Sequence, residues 1–192
     1  MAPGHSRLPF LRTMKHYILF LPLLATALLG CSHPSPQISD LPARERFVAM
    51  ASDFADFRNW GSLALGERPA QSETHPGGRL TVFANALPPA GRREFPVGTM
   101  LVKETLSKNQ TGEKANRVFA MVKRGGNFNS EGAVDWEWFE LVEGPSGVAI
   151  GWRGVGPPTA ETYGGDPMGG CNGCHQMALQ NDYVLSLMLK LK

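Results

Sequence analysis

The sequence predicts a mainly β (α+β) domain, with five strands in one twisted antiparallel sheet, an N-terminal helix and a C-terminal helix. Three observations carry this. Short runs rich in Val, Phe and Trp succeed one another between residues 79 and 154. Turn-forming residues separate them at short intervals, which favours antiparallel neighbours. Apolar residues at helical spacing occur only at the two ends of the domain.

The first element is read from "SDLPARERFVAMASDFADFRNWG" as a helix with Asp40 as N-cap, Pro42 in the first turn and Gly61 as its stop. Phe47, Met50, Phe54 and Phe57 would share one face. The strands follow as "RLTVFAN", "TMLVKETL", "RVFAMVKR", "WEWFELV" and "VAIGWRG". Pro88-Pro89-Ala90-Gly91, Asn109-Gln110-Thr111-Gly112, Gly125-Gly126-Asn127 and Gly144-Pro145-Ser146-Gly147 supply the connections. Trp136 and Trp138 alternate with Glu137 and so share a face. A Gly/Pro loop from Gly154 to Gly170 leads to a final helix, Met177 to Leu189, with Leu185, Met188 and Leu189 as its core stripe. This succession excludes a four-helix bundle.

Ahead of this domain, "MKHYILFLPLLATALLGCS" has the form of an export signal: Lys15 precedes an apolar run, Tyr17 to Leu29, too short to span a membrane comfortably. Leu28-Leu29-Gly30-Cys31 is similar to a bacterial lipobox, in which the cysteine sulfur is lipidated and becomes the new N-terminus. The expected organisation is a signal peptide over 1–30, with Met14 as the true start, then a lipidated Cys31 and a Pro-rich tether over 31–42, and a folded domain over 43–192. This places the domain on the periplasmic side of a bacterial membrane, lipid-anchored. The segment 1–30 holds Arg7, Arg12 and Lys15 and no acid, so its removal takes the formal charge from +2 to −1. Such a balance gives no footprint for nucleic acid.

Chemistry concentrates in Cys171-Asn172-Gly173-Cys174-His175. A zinc site would need further ligands near this pair, and the chain offers few histidines. A thioredoxin-like pair would sit early, after a βαβ strand, rather than behind a Gly/Pro loop. In an exported protein C-x-x-C-H points to one covalently bound haem c, with Cys171 and Cys174 forming thioethers and His175 binding the iron. Asn172 and Gly173 are small enough for the turn. Met177 is too close to reach the far face and Met188 reads as helix core; Met100, Met121 and His75 are the alternative sixth ligands, and the expected iron keeps an open position, suited to small-molecule chemistry rather than pure electron transfer.

For the surrounding pocket the candidates are Arg79 for propionates or a bound anion, Phe83, Phe119 and Phe128 as caps, and Glu131, Glu137 and Glu140 as acid–base groups.

The ordered set Phe57-Arg58-Asn59-Trp60, His75 with Arg79 and Asn85, Phe95-Pro96-Val97-Gly98-Thr99 before Val102-Lys103-Glu104, Met121-Val122-Lys123-Arg124, Asp135-Trp136, and the pentad followed by Asp182-Tyr183-Val184 resembles the cytochrome P-460 family, with its cytochrome c′-beta relatives. The resemblance implies a mainly β domain, often a homodimer, around a five-coordinate haem c; an exported electron carrier is the expected redox partner. Family enzymes cross-link a lysine to the haem and oxidise hydroxylamine, whereas c′-beta proteins lack the link and bind nitric oxide or a similar gas. Lys103 stands where the family pattern has its lysine, with Lys123 as runner-up. Enzyme and gas-binding protein stay open as alternatives, with a six-coordinate electron carrier as the third.

Overall fold

A computed structural model describes residues 45–71, 75–88, 90–108, 114–158, 170–186 and 189–191, all in the unit Leu41–Lys192. The signal segment, Cys31, the tether, the Asn109–Gly112 turn, Met188 and most of the Gly154–Gly170 loop lie outside the described residues.

The architecture is mainly β, and the sheet has six strands rather than five. They are β1 (Gly61–Arg68), β2 (Gly78–Ala84), β3 (Met100–Lys108), β4 (Lys114–Lys123), β5 (Trp136–Gly144) and β6 (Gly147–Gly154). They lie in chain order, each pair antiparallel, which is an uninterrupted meander. The additional strand is β1, at the edge where the N-terminal helix was expected to stop. Its pairing slips at Gly66, whose φ of 71° is open to glycine and strained for other residues.

The expected N-terminal helix is replaced by two short 3₁₀ turns, Ala51–Phe54 and Phe57–Asn59. Met50 is extended and its N–H is taken by the Asp53 carboxylate at 2.7 Å, so the first turn starts there. Phe54 and Phe57 are fully buried against the sheet, whereas Met50 is 58% exposed. The C-terminal helix is also shorter and earlier than expected. An α-helix, α1 (Gly170–His175), carries the pentad, and a 3₁₀ segment, Gln176–Asn181, continues it. Asp182 and Tyr183 then take positive φ values of 51° and 65°, which ends the helical run before Leu185. Among the described residues no helix is long and apolar enough to cross a membrane.

Strand alternation divides the sheet into two faces with different contents. One carries Phe83, Val102, Ala120 and Phe139 in register, and packs with Phe54 and Phe57 into one hydrophobic cluster. The other carries Ala84, Leu101, Met121 and Trp138 in register, and packs with Phe95, Trp136, Trp152 and Val184 into a second cluster. The pentad helix and the C-terminal segment cover this second face.

Candidate functional site

A cavity of about 230 Å³ lies between the second face and the C-terminal segment. Val82, Lys103 and Phe119 line it from adjacent strands at directly paired positions, and Leu101, Met121 and Trp138 extend that floor. Cys171, His175 and Val184 close it from the other side, and Leu65, His75 and Leu80 from the β1–β2 end. A second hollow of about 460 Å³ shares Leu65, His75, Leu80, Lys103, Leu185 and Ser186 with the first and lies beside it. Most lining side chains are apolar, as expected of a ligand site with few orienting polar groups.

His175 is oriented with care. Its Nδ1 lies 2.6 Å from the carbonyl oxygen of Tyr183, an acceptor only, so Nδ1 carries the proton and donates. Nε2 is left as the ligating nitrogen, in the arrangement typical of a metal-binding histidine with its outer partner. The indole of Trp138 stacks obliquely on the imidazole with centroids 4.6 Å apart. Burial pushes the His175 pKa down to about 4; the hydrogen bond to the Tyr183 carbonyl works against this and the charge on Lys103 adds to it, so the ring is neutral at neutral pH.

Asn172 does more than allow a tight turn. Its side-chain oxygen accepts from Asn129 Nδ2 at 2.8 Å, from the Ala133 backbone N–H at 3.1 Å and from Trp138 Nε1 at 2.9 Å. Its amide donates to Asn129 Oδ1 at 3.1 Å and to the Val155 carbonyl at 2.9 Å. The pentad helix is thus pinned to the sheet through one of the two residues between its cysteines. Nothing in the local sequence signals this, because every partner is remote in the chain.

Lys103 faces the cavity, with Nζ 5.1 Å from the centroid of the Phe119 ring. Burial pushes its pKa down to about 7; the charge of Cys171 works in the opposite direction and that of Arg117 adds to the lowering. His75 lies in the same space, its pKa pushed down to about 3 by burial first and then by Lys103 and His175. Glu140 occupies the same row of the same face, directly paired with Phe119, and forms an ion pair with Arg117 at 3.2 Å.

Other expected pocket residues stand elsewhere. Arg79, Phe83 and Glu137 belong to the opposite face, by parity along β2 and β5. Phe83 packs edge-on against Phe57 at 5.2 Å, and Arg79 is exposed. Glu137 is 2% exposed, but Arg153 and Arg124 hold it, at 2.7 and 3.0 Å, in a structural cluster away from the cavity. Glu131 is exposed on the loop before β5. Phe128 packs under the Arg124 guanidinium, 4.3 Å from its ring centroid. Of the alternative iron ligands, Met100 belongs to the opposite face, while Met121 and His75 line the cavity. Lys123 is committed elsewhere: it is 3% exposed and bonded to Asp182 Oδ1 at 2.6 Å.

Fold and site together define an antiparallel-sheet protein in which a C-x-x-C-H helix closes an apolar cavity. The model of one family, cytochrome P460, matches residues 54–186, and the chain belongs to that family. The family binds haem c, which makes this chain a haem-binding cytochrome. No curated protein and no solved structure matches the chain.

Proposed function

We propose that the chain holds one haem c through Cys171 and Cys174, with His175 as the iron ligand, and that it oxidises a small nitrogen species, hydroxylamine in the first instance. The observation that carries this reading is the cavity itself: Cys171 and His175 on one wall, Lys103 and Phe119 on the other. The residues fit the group, since the cavity is apolar, His175 Nε2 is left for a metal, and the two cysteines are one helical turn apart on α1. When bound, the haem supplies the centre that binds the nitrogen and accepts its electrons.

The chain's own residues would then bind, orient and move protons. Leu101, Phe119 and Trp138 keep water from the cavity, which strengthens electrostatic interactions inside it. Oxidation of hydroxylamine releases protons as well as electrons, so the site needs a group that can take a proton up. Glu140, on the same face and held by Arg117, offers an outward step. The neutral form of Lys103 is the form that can bond to the haem edge.

A gas-binding role is the second reading, favoured by the apolar lining and by Phe119 on the cavity floor. Peptide mass mapping of the haem-bearing digest separates the two. A branched peptide joining Cys171–Cys174 to the segment with Lys103 supports the enzyme, and a haem peptide without it supports the gas-binding protein. A pyridine haemochrome assay tests the attachment, and release of free haem b on denaturation would overturn it. Export, a lipid anchor at Cys31 and a periplasmic position belong to the same proposal, supported by the signal-like segment and lipobox, and a homodimer and an exported electron carrier are proposed with them on the family resemblance and the redox chemistry alone.

A further inference from the structure

We propose that Lys123 and Asp182 are positioning residues for the iron ligand, acting through the carbonyl of Tyr183. The inference rests on His175 binding iron and adds how its orientation is set.

Asp182 and Tyr183 have φ values of 51° and 65°. Two successive non-glycine residues in the left-handed region are rare and persist only where surrounding contacts impose them. Those contacts are visible. Asp182 Oδ1 accepts from Lys123 Nζ at 2.6 Å, and Asp182 Oδ2 from the Phe95 N–H at 2.8 Å. The pair is deeply buried, its side chains 4% and 5% exposed. The Tyr183 N–H turns back to the Ala178 carbonyl at 2.8 Å. The turn so fixed aims the Tyr183 carbonyl at His175 Nδ1, 2.6 Å away.

The chain of contacts runs from β4, through a buried ion pair, to a constrained turn, to the ligating ring. It has a chemical consequence. A carbonyl held on Nδ1–H draws that proton and makes the imidazole a stronger donor through Nε2. Stronger donation favours ferric over ferrous iron. Lys123 does not touch the cavity, and neither Lys123 nor Asp182 would contact a substrate. A buried pair used only for packing could be replaced by apolar groups without effect on the iron, and often with a gain in stability. A positioning pair could not.

The experiment uses the haem-loaded protein and three variants: Asp182→Ala, Asp182→Asn, and Lys123→Met combined with Asp182→Asn. Resonance Raman of the ferrous form reads the histidine–iron stretch, and a redox titration reads the midpoint potential. In Asp182→Ala the stretch should fall in frequency, and the ferric-to-ferrous equilibrium should shift at least tenfold toward ferrous, 59 mV for one electron. Asp182→Asn keeps an oxygen acceptor and a residue tolerant of the left-handed region, so it should shift less. The double variant removes one charge of each sign, so any shift in it reads the aim of the carbonyl rather than a change in net charge. It should show the shift too.

Folded, loaded variants with the unsubstituted stretch and potential would overturn the proposal. So would loss of the loaded fold in all three, since the role would then be structural. Absence of a histidine–iron band in an unsubstituted protein whose ferrous haem is five-coordinate would instead refute His175 as ligand and with it the proposed role of the turn.

Discussion

The side-chain oxygen of Asn172 accepts the indole N–H of Trp138 at 2.9 Å, tying the residue between the two cysteines to the floor of the cavity. The same oxygen takes two more N–H groups, so its removal leaves several donors without a partner at once. Asn172→Ala should cost about 2–3 kcal/mol, the scale of stranding a buried donor. Thermal denaturation of the loaded protein measures it. A change below ~0.5 kcal/mol would show the helix to be docked by other means.

Gly132 tests the same junction from the loop side. A Cβ there would come within 2.3 Å of Asn172 Nδ2 and 2.6 Å of Asn129 Oδ1. Gly132→Ala should therefore destabilise by about 1–3 kcal/mol, as overpacking does, and lower the yield of haem-loaded protein. Retained stability with full loading would mean that the Asn129–Asn172 pair can shift aside.

Glu137 distinguishes a structural carboxylate from a chemical one. Its oxygens are held by Arg153 Nε and Nη2, both at 2.7 Å, and by Arg124. Glu137→Gln should lower stability by several kcal/mol, about 3–5 as for a broken buried pair, while leaving the haem spectrum and any turnover per loaded haem unchanged. A loss of turnover at full loading would return Glu137 to the chemistry.

Lys103 sets a pH dependence whose sign is fixed. Its pKa falls from 10.5 to about 7 on folding, so between those values the unfolded chain binds more protons than the folded one. Stability must then rise with pH through this window, at up to ~1.4 kcal/mol per pH unit for one proton. Lys103→Met removes the contribution. The stability advantage of the Met variant should be largest below about pH 7 and shrink toward 10.5. A constant difference across the window would mean that the amine does not titrate, as a covalent bond to the ring would require.

Much of this fold could be read from residue patterns. The runs beginning at Arg79, Thr99, Arg117, Trp136 and Val148 fall on β2 to β6, because alternation of large apolar residues has no competing period there. β1 was not legible: "GSLALGER" is mostly exposed and bulged at Gly66, and an edge strand need not alternate cleanly. The spacing of Phe47, Met50, Phe54 and Phe57 suggests a helix, yet the same phenylalanines serve as separate anchors on a sheet. Propensity is outweighed there by packing. At the C-terminus the stop signal was present in Asp182, a residue type that tolerates positive φ.

The site divides in the same way. The pentad declares itself by residue type and spacing and Lys103 through the family resemblance, and Cys171, His175 and Lys103 line the cavity. Arg79, Phe83 and Glu137 could not be assigned without the register, since parity depends on which strand residue faces the core. The roles of Asn172 and Asp182 are not legible in the sequence, because they depend on partners far along the chain, Trp138 and Lys123.

The alternation along β3 and β4 has an evolutionary consequence. Val102, Ala120 and Val122 hold the sheet to the N-terminal turns, while their immediate neighbours Leu101, Lys103, Phe119 and Met121 shape the cavity. Adjacent codons thus answer to different physical demands, packing at one and cavity shape at the next. An exchange at Lys103 or Phe119 would reshape the cavity without renegotiating the scaffold one residue away.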